Sequence, residues 1–102
     1  MYIHMKKEYI LQKSNKKDKK YFINMGDHGH HFGAKDGSTF IQHKDKDKKK
    51  AWEARHKVNP NYNSKHSSIY HSRKLLWTEP TLNQAIDRYE REHNVKIINK
   101  IK

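Results

Sequence analysis

Glu8-Tyr-Ile-Leu-Gln12 and Lys20-Tyr-Phe-Ile-Asn-Met25, separated by the polar stretch Ser14-Asn-Lys-Lys-Asp18, decide the fold class. Both runs are rich in aromatic and β-branched residues, which fit the pleated, half-buried surface of a sheet. The polar stretch between them has the composition of a hairpin loop. Downstream, Gly26-Asp-His-Gly29 is a second turn signal, and His30-His-Phe-Gly-Ala34 is a third short run. The first third of the chain therefore predicts three short antiparallel strands.

Helical spacing takes over afterwards. Asp36-Gly-Ser38 can stop the third strand and supply an N-cap for a helix continuing to about His56. On that helix Ile41, Lys48, Trp52 and His56 share one side, and Asp45/Lys49 and Glu53/Lys57 stand four apart with the acid first, the favourable order. Val58 to Ser67 reads as a loop punctuated by Asn59-Pro60-Asn61 and Asn63-Ser64. A second helix is expected from Ser68 to Trp77, ended by Thr78-Glu-Pro80. Thr81 opens the clearest helix, with Leu82, Ala85, Ile86, Tyr89 and His93 in one stripe, Arg88 and Arg91 facing away, and Asn94 as its stop. Residues 95–102 alternate well enough for an edge strand but could equally be a tail. The expectation is one α+β domain over residues 1–102, a small antiparallel sheet of about three strands packed by two or three helices.

The chain has 102 residues, enough for one ordinary domain. No apolar run approaches the ~20 residues that span a bilayer, so membrane insertion is not expected. Met1-Tyr-Ile-His-Met-Lys-Lys lacks the apolar stretch of a secretory signal, so export by a signal peptide is not expected either. There is no cysteine, which excludes disulfide scaffolds, thiol nucleophiles and Cys-ligated zinc. Only 32% of the residues are hydrophobic, a value that points toward disorder, but 11% are aromatic, which argues for a small folded core. Trp52 and Trp77 are the natural anchors of a core this sparse, and Leu75, Leu76, Trp77, Leu82 and Ile86 should close it.

Charge is the strongest global signal. Lys and Arg number 23 against 11 Asp and Glu, a net charge of +12. The excess is spread along the chain: 15 basic against 7 acidic residues lie in 1–57, and 8 against 4 in 58–102. A polyanion is the natural partner, nucleic acid first and DNA before RNA, with an anionic membrane or an acidic protein surface second. The plainer alternative is a lysine-rich surface reflecting AT-rich coding. Lys44, Lys46, Lys48, Lys49, Lys50, Arg55 and Lys57 on the middle helix, with Arg73 and Lys74, are the expected phosphate contacts. Exposed aromatics could also stack on unpaired bases, but Trp52 and Trp77 are better used in the core.

Nine histidines raise a metal-nuclease reading, in which one histidine acts as base, an asparagine orients it and another histidine holds a divalent ion. The spacing does not suit it. The expected hairpin lies too far upstream of His66 and His71, and His30 and His31 are adjacent, so on a strand they point to opposite faces. Neither an HExxH nor a GxxxxGK[ST] pattern occurs. No catalytic residue, metal or cofactor is therefore expected.

One resemblance is carried by an ordered set of motifs: His31-Phe-Gly-Ala34, His43-Lys-Asp45, Arg55-His56, Leu75-Leu-Trp77 and Pro80-Thr-Leu82. The set resembles a family of small, basic, functionally uncharacterised proteins of large DNA viruses and tailed phages, over about residues 20–87. Ile69-Tyr-His-Ser-Arg-Lys74 departs from the more aromatic segment usual there. The resemblance implies a viral setting, in the virion or in the host cytoplasm during infection, and assigns no activity. Together with the charge it gives the expectation of a non-enzymatic virion component binding nucleic acid. The alternatives are a structural capsid or tail protein docking on an acidic neighbour, or the histidine-metal nuclease.

Overall fold

The structure, a computed structural model, describes residues 6–101; Met1–Met5, the start of the segment read for a secretion signal, and Lys102, the end of the expected tail, lie outside the described residues. Strands β1 (Lys7–Lys13), β2 (Lys19–Asn24) and β3 (Gly29–Ala34) form an antiparallel meander. Alternation sets its faces. Leu11 pairs with Ile23 and Tyr21 with Phe32, and Leu11, Ile23 and Phe32 are fully buried. The β2–β3 turn is held by Gly26 at φ 97°, whose N–H donates to the Asn24 side chain at 2.9 Å.

The run after Asn94 is a strand, β4 (Val95–Asn99), and it pairs parallel to β1, with Tyr9 opposite Ile97. The α+β expectation therefore holds, with the sheet corrected from about three antiparallel strands to four mixed ones in the order β3-β2-β1-β4. A parallel neighbour needs a crossover, and all the helices lie in it. On β4 the Ile97 N–H donates to the Glu90 carboxylate at 2.7 Å, which satisfies one amide that no strand in the sheet reaches.

The expected middle helix is two helices. Short α1 (Phe40–His43) starts at Thr39, whose N–H donates to the Gln42 side chain at 2.9 Å, so the cap is Thr39 and not the Asp36–Ser38 stretch. Lys44 then turns left-handed at φ 57° and breaks the helix. Asp45 restarts it as the N-cap of α2 (Lys46–His56), accepting from the N–H groups of Asp47 at 2.9 Å and Lys48 at 3.3 Å. With its carboxylate turned to the backbone, Asp45 makes no ion pair with Lys49, and Glu53 makes none with Lys57 among the described residues.

Helix α3 (Ser68–Ser72) is capped by Ser67 and runs directly into a π-helical segment, Arg73–Trp77, which buries three consecutive side chains, Leu75, Leu76 and Trp77. Helix α4 (Leu82–His93) begins at Thr81 and ends at left-handed Asn94, as its caps predict. Arg88 does not simply face water: it donates to Glu79 at 2.9 Å and Glu92 at 3.3 Å. Among the described residues no helix is long and apolar enough to cross a membrane.

Candidate anion-binding cleft and basic helix

Trp52, the buried residue of helix α2, fixes it to the body by stacking on Trp77. The Trp52 and Trp77 rings lie 4.8 Å apart at 11°, and both are buried, so the two tryptophans are core anchors as expected. His56, one turn after Trp52, covers its ring at 4.4 Å, while His43 meets the edge of Trp77 at 5.4 Å. The four rings thus form one continuous wall, ordered His43, Trp77, Trp52, His56.

Beside this wall lies a cleft of about 430 Å3 between α2 and the β3–π-helix side of the molecule. Gly33, Ala34, Ser72 and Leu76 line one side, and Lys48, Ala51, Arg55 and His56 the other. Gly33 is required here. Its φ is 80°, and a Cβ would stand 3.0 Å from a Leu76 methyl group. The Gly33 N–H donates to the Ser72 hydroxyl at 3.1 Å, which leaves the hydroxyl proton of Ser72 available.

The electrostatics of the cleft have one sign. Lys48 and Arg55 are its cations, and neither Asp nor Glu lines it. Burial and the neighbouring Arg55 charge hold the His56 imidazole below its ordinary pKa, which favours the neutral ring at pH 7. The Nδ1 of His43 accepts from the Asp45 N–H at 2.9 Å, which places its proton on Nε2. That Nε2 is buried with no partner, an omission that costs about 1–3 kcal/mol in general.

The cations expected to contact phosphate divide into three groups. Lys48 and Arg55 face the cleft, with Lys57 at the exit of α2. Lys44, Lys46, Lys49 and Lys50 border a groove on the other side of α2, so the helix is a basic ridge and not a single flat row. Within that group Lys49 is committed to the fold: its ammonium donates to the Thr78 carbonyl at 3.1 Å and lies 5.2 Å over the Phe40 ring. Lys44 also donates locally, to the Ile41 carbonyl at 2.9 Å, but stays exposed. Arg73 and Lys74 do not join the ridge. Arg73 lies over Tyr62 at 4.2 Å and Tyr70 at 5.4 Å, and Lys74 pairs with Glu92 at 3.2 Å.

Most of the remaining histidines belong to a separate chain of rings. His28 meets His66 at 4.7 Å, His30 stacks on fully buried His71 at 5.5 Å, and His71 continues to Tyr89 and His93. His31 points to the opposite sheet face, against Phe22, as the strand parity predicts. Among the described residues no three His, Cys, Asp or Glu side chains are grouped to hold a metal ion.

Residues 9–56 match the model of a family of unknown function, DUF5754. No curated protein and no solved structure matches the chain. The matched segment runs from Tyr9 within β1 to the end of α2, and takes in the His43–Trp52–His56 part of the ring wall and both cleft cations; Ser72, Leu76 and Trp77 lie beyond it. Sequence reasoning picked out the cations and the tryptophans but not the cleft. The signal was present in the motif set, since Gly33, Ala34, His43, Arg55, His56, Leu76 and Trp77 all come from it and all line the cleft.

Proposed function

We propose that the chain is a polyanion-binding module that engages nucleic acid phosphates through the α2 ridge, without catalysis. The observation that carries this reading is the charge left over on α2. Among the described residues, Lys46, Lys48, Lys50, Arg55 and Lys57 are exposed and have no carboxylate partner, whereas the lysine and arginine ion pairs use Lys74 and Arg88. Fixed cations of one sign on a rigid helix lower the free energy of a phosphate backbone by displacing its counterions. The viral setting, in a virion or in an infected cell, rests on the motif resemblance alone.

The test is a salt titration of duplex and single-stranded DNA binding. On the duplex, three to five phosphate contacts would give a log–log slope of roughly −2.7 to −4.5. Replacing Lys46, Lys50 and Lys57 together by Gln should flatten the slope by about 2–3 and weaken binding to all sequences alike. Negligible binding at low salt, or a slope unchanged in the triple variant, would overturn the proposal.

A further inference from the structure

We infer that the cleft beside α2 is a site for a single phosphorylated nucleoside, its phosphate met by Lys48, Arg55 and His56 and its base received by the aromatic wall. This deepens the polyanion reading and rests on it for the choice of phosphate among anions. Four observations narrow the occupant. The volume of about 430 Å3 falls within the roughly 300–1,000 Å3 of small-molecule sites and exceeds what a bare phosphate needs. The His43–Trp77–Trp52–His56 rings pack on one another, so they offer the cleft ring edges rather than free faces, and a flat π system can meet those edges in the T-shaped manner of aromatic pairs.

The absence of Asp and Glu from the lining works against cationic ligands and leaves a sugar without the carboxylate acceptors that usually bind its hydroxyls. The polar groups at hand are donors or can become donors: the Lys48 ammonium, the Arg55 guanidinium and the Ser72 hydroxyl proton, with His56 able to take up a proton beside an anion. A flat, acceptor-rich base carrying an anionic group matches that set. A nucleoside phosphate is the general ligand of this chemistry, whether free or at the end of an unpaired strand.

The protein carries its own reporter. Its only two tryptophans, Trp52 and Trp77, both line this cleft, so intrinsic fluorescence reads the site directly. The full chain is titrated with adenosine 5′-monophosphate, adenosine and inorganic phosphate, by fluorescence and by calorimetry. The 5′-monophosphate should give a saturable change, with adenosine and phosphate each weaker by about tenfold or more, since each lacks half of the recognised groups. Lys48→Gln with Arg55→Gln should weaken the 5′-monophosphate by about tenfold or more, because charge-assisted bonds are lost. Both residues are exposed, so this variant keeps the fold, and the exposed hairpin substitution Lys16→Gln should change nothing. A short oligothymidylate with and without a 5′-phosphate separates a strand end, which binds more tightly than the free nucleotide, from a free nucleotide, which does not.

Neither heat nor fluorescence change with the 5′-monophosphate up to about 10 mM, weaker than any useful site, would overturn the inference. So would an unchanged titration in the double variant. If duplex binding persists in that event, the polyanion reading stands and only the cleft assignment fails. If the nucleotide binds and the duplex does not, the cleft is supported and the ridge reading fails.

Discussion

Acidification should weaken this fold through His71. The side chain is fully buried, and its ring is stacked on His30 with Phe32, Tyr70 and Tyr89 around it. Its Nε2 donates to the Lys65 carbonyl at 2.8 Å, so Nδ1 is the unprotonated nitrogen, and it is buried without a partner. Charging the ring would require a proton there. Burial is the main reason that the pKa falls from 6.5 to about 4; the Lys65 carbonyl opposes the fall, and nearby His30, His93 and His66 add to it.

In the unfolded chain the same imidazole titrates normally. Above pH 6.5 it is neutral in both states and contributes no pH dependence. Between pH 6.5 and about 4 the unfolded state holds one more proton, so stability falls with pH by about 1.4 kcal/mol per unit, about 3 kcal/mol in all. That is a large fraction of the roughly 5–15 kcal/mol of a typical domain. The assay is urea denaturation from pH 7.5 to pH 4 for the native protein and His71→Phe. The two stability curves should converge by about 3 kcal/mol as pH falls, because carboxylates and the other histidines are common to both. Parallel curves would refute the assignment of the acid sensitivity to His71.

Three further outcomes follow from particular contacts. Gly33→Ala places a Cβ against fully buried Leu76 at φ 80° and should lose about 2–3 kcal/mol in denaturation, whereas Gly26→Ala, at φ 97° in open space, should lose only about 1 kcal/mol. Equal losses would mean that the approach of Leu76 is not what demands the glycine. Asp45→Ala removes the N-cap of α2 and should cost about 1 kcal/mol by urea titration, with Asp45→Asn costing only a few tenths; two equal losses would show that the cap bonds do not matter. Lys49→Ala should lower stability by about 1 kcal/mol and Lys50→Ala hardly at all, while DNA affinity shows the reverse order, because Lys49 is held by Thr78 and Phe40 and Lys50 is not.

Local patterns carried much of the architecture. Alternation in Tyr9–Leu11 and Tyr21–Ile23 marked both strands of the hairpin, because side chains on a strand alternate faces whatever lies beyond. Thr81 and Asn94 marked both ends of α4 for an equally local reason: a helix end must satisfy its own orphan amides and carbonyls. The break at Lys44 is a harder case. A polar run rich in lysine suits an unbroken helix, and the left-handed turn that divides it follows from having to seat Phe40 in the core and Trp52 against Trp77 at once. Asp45 stands four before Lys49, and that spacing read it as half of an ion pair instead of the N-cap that it is.

The chemical inventory, a strongly basic surface on a small aromatic core without cysteine, is a property of composition and needs no coordinates. So are the short-range elements, since their signals lie within a few residues of one another. The parallel pairing of β4 with β1, the loss of Lys49, Arg73 and Lys74 to packing, and the gathering of His43, Arg55, His56, Ser72 and Trp77 around one cleft are different in kind. Each joins residues far apart in the chain, and which cation faces the cleft and which faces a tyrosine depends on how α2, the π-helical segment and α4 dock on one shared core. No local periodicity encodes that docking, because it is settled by packing among side chains that meet only when the chain has folded.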